Sequence, residues 1–91
     1  EYLVESNRES GTGRNDIVVK NVLTQDIAIV IEIKTVGKDE TLDQMCDAAL
    51  QQIEDRQYES GLVNEGYGKI IKYGIAFAGK RCKVKKGDIL L

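Results

Sequence analysis

The strongest pattern in the chain is IAIVIEIKTV at residues 27–36, a β-branched run that is too short for a helix and reads as a strand. Both of its faces begin apolar: Ile27, Ile29, Ile31 and Ile33 on one, Ala28 and Val30 on the other. That two-sided apolar start is the mark of a central strand covered on both sides. Residues 2–4 read as a short strand, residues 6–15 as a polar, glycine-containing loop, and residues 16–19 as a resumed strand. After the strand of 27–36, GKDE at 37–40 breaks the pattern. Leu42, Met45, Cys46, Ala49, Leu50 and Ile53 then recur at three and four residues, which predicts a helix over 41–58 with one apolar face. Asp39, Glu40 and Asp43 suit its positive N-terminal end. Gly61 and Gly66 punctuate a loop or short helical turn, and residues 69–78 and 81–85 read as two further strands.

The predicted order is strand, strand, strand, helix, strand, strand. The strands flanking the helix can be parallel neighbours joined by a crossover, and those on either side of residues 20–26 an antiparallel hairpin. The expected fold is therefore α/β: a mixed central sheet with an antiparallel hairpin and a β-α-β crossover, one helix on one face and the other face bare. Such a face calls for a cover, and a homodimer or higher oligomer is expected if the piece stands alone. Ninety-one residues suffice for one domain, residues 1–91, and a modest core. The chain begins with Glu1 rather than Met, reads as starting inside a strand, and is expected to be a piece of a longer protein.

Composition removes several chemistries. There is no histidine, so histidine triads, imidazole bases and histidine zinc sites are excluded. Cys46 and Cys82 lie in different elements without CxxC spacing, against a disulfide framework or zinc site, and read as small buried hydrophobes. The longest apolar run, residues 27–31, is far below the roughly 20 residues of a membrane span. With no basic-then-apolar leader either, a cytoplasmic location without membrane attachment is expected. The net charge of −2 hides an asymmetry: −3 over residues 1–40, −5 over 41–66 and +6 over 67–91. A basic end can face a polyanion, or can merely protect an edge strand.

Candidate chemistry sits at the end of the central strand. Glu32 and Lys34 are two residues apart and share the face begun by Ala28 and Val30. Ionised groups there are expensive to desolvate unless paired or metal-bound. A salt bridge where the strand meets solvent is the plain explanation. The hairpin adds to it. With the turn centred near Thr24, antiparallel pairing sets residue i opposite 48 − i, and Asp16 falls opposite Glu32. Opposed carboxylates repel, and a divalent cation between them reverses the sign. Hard oxygen donors suit Mg2+ or Mn2+. Lys34, one strand step away, can hold an attacking water or stabilise charge building on a phosphate.

Asp16 followed by Glu32-Ile33-Lys34 resembles the D…(D/E)xK signature of the restriction-endonuclease-like, PD-(D/E)xK nuclease superfamily. The wider stretches SNRESG at 6–11, GRND at 13–16, IEIK at 31–34, ALQQI at 49–53 and YGIAFAGK at 73–80 are similar to one bacterial branch. In that branch the nuclease-like domain follows an AAA-type ATPase-like domain. The resemblance implies Asp16 and Glu32 as metal-binding carboxylates, the backbone carbonyl of Ile33 as a further ligand, Lys34 as the catalytic lysine and Gln52 as the glutamine beside the site. It also implies a nucleic-acid substrate, DNA before RNA. The signature's proline is Asn15 here, and the core's usual first helix is missing from the text. Glu9 is either a substitute acid or a loop-ordering residue.

Arg81, Lys83 and Lys85 share one face of the last strand and can track a phosphate backbone, or serve as edge-strand charges. Tyr73, Ile75 and Phe77 read as core rather than as a base-stacking platform. The expected activity is metal-dependent hydrolysis of DNA phosphodiesters. The alternatives are a catalytically silent module that binds nucleic acid or a protein partner, and a dimerisation piece.

Overall fold

In the computed structural model, which describes residues 2–9 and 14–89 without the side chains of 8, 9 and 14, the strand of residues 27–36 is the centre of a five-stranded sheet. The elements are β1 (Tyr2–Glu9), β2 (Arg14–Asn21), β3 (Ala28–Thr35), α1 (Leu42–Asp55), α2 (Tyr58–Asn64), β4 (Ile70–Ala78) and β5 (Arg81–Lys86). Spatial order equals chain order, β1-β2-β3-β4-β5. Only β3 and β4 run parallel, joined through α1 and α2; the other neighbours are antiparallel. The mixed α/β sheet with its hairpin and crossover is the architecture expected from the pattern.

Two elements differ from expectation. Residues 6–9 and 14–15 are paired strand rather than loop, with Ser6 opposite Ile17 and Asn7 opposite Asp16. Polar residues are tolerated on β1 because it is an edge strand whose side chains at 2–7 are exposed to solvent. The Glu9 side chain lies outside the described residues. The helix predicted over 41–58 is two helices. Thr41 and Gln44 form a reciprocal capping box that starts α1. It ends at Arg56, and Gln57 adopts a left-handed conformation (φ +55°) from which α2 departs in a new direction. Gly61 sits inside α2, the short helical alternative of the expectation.

Both helices lie on one side of the sheet. Val18, Ala28, Val30 and Ile70 point up from three strands to meet Ile53, Leu62 and Tyr67, and Leu50 and Tyr58 pack against this cluster. On β4 the buried positions are Ile70, Lys72, Gly74 and Ala76. Tyr73, Ile75 and Phe77, expected in the core, instead line the opposite face, where Phe77 is 40% exposed. Ile17, Val19, Ile29, Ile31, Ile33 and Ile71 join them there and are only half-buried. Among the described residues no element covers the face predicted to be bare. Cys46 is buried as expected, but Cys82 is exposed on that open side of edge strand β5.

Gly74 sets how closely α1 approaches the sheet. A Cβ at this position would stand 2.5 Å from the carbonyl oxygen of Cys46 and 3.2 Å from the Ala49 Cβ. Gly74 also pairs with Glu32 across β3 and β4, so the contact that seats the helix adjoins the candidate site. Gly74→Ala should destabilise the domain by about 1–3 kcal/mol, the usual cost of overpacking. Urea denaturation checks it, and an unchanged midpoint would mean that α1 can lift without penalty.

Candidate metal and catalytic site

Asp16 and Glu32 are direct partners in the β2–β3 ladder, as the 48 − i rule places them. Both are completely buried. Lys34 lies one strand step beyond Glu32 on the same side, half-buried, and its charge acts on the Glu32 carboxylate. Asp16, Glu32 and Lys34 are thus brought together beneath the helices. Ile33 lies between two of them, with its side chain on the open face.

The repulsion between the two acids is met by a residue the sequence reading overlooked. Nη1 of Arg56 stands 2.8 Å from Glu32 Oε1 and 3.2 Å from Asp16 Oδ2, bridging the pair with one nitrogen. The Tyr58 hydroxyl also donates to Asp16 Oδ2. The Asn15 backbone N–H donates a long bond, 3.4 Å, to Glu32 Oε2. Burial nonetheless pushes the Glu32 carboxyl above its ordinary value, against the lowering pull of Arg56 and the Asn15 N–H. Arg56 and Tyr58 flank the left-handed Gln57, so the break between the helices is what aims both side chains at one carboxylate pair. A non-glycine residue in that region carries strain that its surroundings must hold. The signal available beforehand was slight: Arg56 is the only basic residue between 41 and 66.

Gln52 lies one helical turn before Arg56, half-buried, and its Oε1 is buried without a hydrogen-bond partner among the described residues. Lys83 and Lys85 of the basic stripe face α1 and are committed to ion pairs, Lys83 with Asp43 (2.8 Å) and Lys85 with Asp43 and Asp47 (2.9 and 3.0 Å). Those two lysines hold the Asp43 carboxyl down at about 2. Arg81 is exposed. A second buried charge, Lys72, is clasped between Glu54 and Glu59; burial works to lower its pKa, and the two acids outweigh it.

Two buried, opposed carboxylates, a half-buried lysine and an orphaned amide oxygen fit a hard divalent cation with water filling the other positions. Among the described residues no cluster of three or more histidine, cysteine or acidic side chains is placed to hold a metal, and the Asp16–Glu32 pair itself supplies two carboxylates. No described helix is long and apolar enough to cross a membrane. A cavity of about 430 Å3 adjoins the pair between β1, β2 and α2, lined among others by Glu5, Lys20, Arg56, Tyr58 and Glu65. Arg56 and Tyr58 form the wall between this cavity and the carboxylates.

Removing the Tyr58 hydroxyl strips a donor from a buried, ionisable acceptor. Tyr58→Phe should cost about 1.5–3 kcal/mol, the range for hydrogen bonds to charged groups. Chemical denaturation in chelator reads the loss, and parent-like stability would show that Asp16 is satisfied without the Tyr58 hydroxyl.

Neither a curated protein nor a solved structure matches the chain. Over residues 1–87, however, it matches the profile of the PD-(D/E)XK nuclease superfamily. That match spans nearly the whole chain and includes the opposed acids and the lysine beside them. The mixed five-stranded sheet is consistent with a restriction-endonuclease-like fold, and such nucleases typically use divalent metals. The chain belongs to the PD-(D/E)XK nuclease superfamily.

Proposed function

We propose that the domain hydrolyses DNA phosphodiesters with Mg2+ or Mn2+, and RNA as a lesser substrate. The observation that carries this reading is the Asp16–Glu32 opposition with Lys34 one step along the same strand face. Asp16, Glu32 and the Ile33 carbonyl would hold the metal, which supplies Lewis-acid polarisation of the phosphate and a more acidic water. Lys34 positions that water and offsets negative charge as it builds on the phosphoryl oxygens. Gln52, with its unpartnered amide oxygen, orients a water or substrate group from the helix side. Arg81, on the exposed rim of β5, touches the nucleic-acid backbone, with Lys83 and Lys85 joining if they exchange Asp43 and Asp47 for phosphate. By its resemblance to that bacterial branch, the domain is proposed to work beside an ATPase-like domain, in the cytoplasm.

Cleavage of supercoiled, linear and single-stranded DNA and of RNA, with Mg2+ or Mn2+ against chelator, tests the proposal. Lys34→Ala should lower the rate by about two orders of magnitude or more, the scale of a lost transition-state charge stabiliser. Activity in that variant equal to the parent would remove the mechanism. A second reading, a silent module that binds nucleic acid or a protein partner, is favoured by Arg56, whose guanidinium already neutralises the two acids. Binding of the same DNAs without cleavage under any metal would select it.

The open sheet face bears on association. Its isoleucines and aromatics form an apolar surface broad enough to favour self-association, so a homodimer or higher oligomer is expected of the isolated domain. Light scattering that finds a monomer near 10 kDa at high concentration would count against it.

A further inference from the structure

We propose that Arg56 is a built-in counter-ion that competes with the divalent metal for Asp16 and Glu32, so that metal entry requires its side chain to swing out of the site. The proposal rests on the metal-site reading above. One guanidinium nitrogen reaches an oxygen of each acid, at 2.8 and 3.2 Å, and so occupies the space where a cation shared by both must sit. Charge counting points the same way. Among the described residues, two carboxylates and a guanidinium leave one negative charge, which the nearby Lys34 offsets. A divalent ion added with Arg56 in place would leave a buried excess of positive charge, and repulsion is strong where water is excluded. Metal in place of Arg56 neutralises the two carboxylates and leaves only Lys34 in excess, one positive charge fewer than metal beside Arg56. The acids are fully buried, whereas the Arg56 side chain is 22% exposed.

Arg56 also has somewhere to go. It caps α1 at the strained Gln57 joint and already lines the adjoining cavity of about 430 Å3. Glu5 and Glu65 line that cavity as well, sharing Lys20 between them at 2.8 and 2.9 Å. A displaced guanidinium would therefore meet acidic partners rather than an apolar wall.

Calorimetric Mn2+ titration, with free Mn2+ followed by electron paramagnetic resonance, tests the competition in the parent, Arg56→Gln, Arg56→Lys and Asp16→Asn proteins. Arg56→Gln should bind Mn2+ about tenfold tighter or more, an ordinary size for coupling between two ligands. It should melt at lower temperature in chelator and gain more from Mn2+ than the parent does. If Arg56→Gln fails to fold without metal, Arg56→Lys, which keeps the charge on a shorter stem, should show an intermediate gain in affinity. Asp16→Asn should abolish binding throughout. Parent-like or weaker binding in the folded Arg56 variants, with Asp16→Asn still abolishing it, would overturn the competition and leave the metal site standing. No Mn2+ binding by the parent or either Arg56 variant would overturn both.

Discussion

Two carboxylates facing each other across neighbouring strands, both removed from solvent, are the constraint around which the rest of the domain is arranged. Side by side they repel, and burial makes each expensive to ionise. The fold cannot relieve this by slipping the β2–β3 register by one, because that would turn one strand's core residues, Val18 of β2 or Ala28 and Val30 of β3, out of the core together with that strand's acid. Relief has to come from above the sheet. The surrounding parts serve that end: Gly74 lets α1 settle against β4 beside Glu32, the helix ends at Arg56, and the left-handed Gln57 turns the chain so that Tyr58 also reaches Asp16. Breaking a buried ionic cluster by deleting one member costs more than the cluster contributes to stability, so the arrangement is weak evidence for stabilisation. It is better evidence that the acids are there for another reason.

The parts of this that were legible in the sequence are those governed by local periodicity. A two-residue period and one turn position sufficed to oppose Asp16 and Glu32, because antiparallel pairing propagates a register along the whole hairpin. The apolar face of α1 was legible for the same reason. What escaped were features decided by tertiary contact. The break at Gln57 has no glycine or proline to announce it, and α1 and α2 look like one helix until Arg56 and Tyr58 are seen sharing a target. The polar text of residues 6–9 reads as loop because strand propensity measures fit to a half-buried surface, and β1 is an exposed edge. Tyr73, Ile75 and Phe77 were assigned to the core because they are large and apolar. The helix side of β4 is instead kept for Gly74 and Ala76, where α1 comes too close for bulk.

The charge asymmetry also changes meaning once folded. The acidic stretch of 41–66 and the basic stretch of 67–91 look like a polarised molecule, but they pack against each other. Asp43 and Asp47 take Lys83 and Lys85, and Glu54 and Glu59 take Lys72. Much of the expected basic patch is spent on holding β4 and β5 to the helices. Exposed pairs of this kind are individually weak and screened by salt, so a phosphate backbone can exchange with them at little cost. The interior pair around Lys72 has no such freedom.

That difference separates fixed charges from exchangeable ones, and Arg56 belongs with the second group although it touches the most deeply buried acids. Its partners are held rigidly by the sheet, while its own position depends on a helix terminus and a left-handed joint. A cation meant only to stabilise the fold would be better placed on a strand, as Lys72 is, with its backbone locked in the ladder. Mounting it on the junction of two helices, beside a cavity that Glu5 and Glu65 help to line, makes the acids' positions independent of whether Arg56 is in contact with them. The sheet therefore keeps Asp16 and Glu32 opposed whichever cation neutralises them, and the identity of that cation is left to the helical layer above.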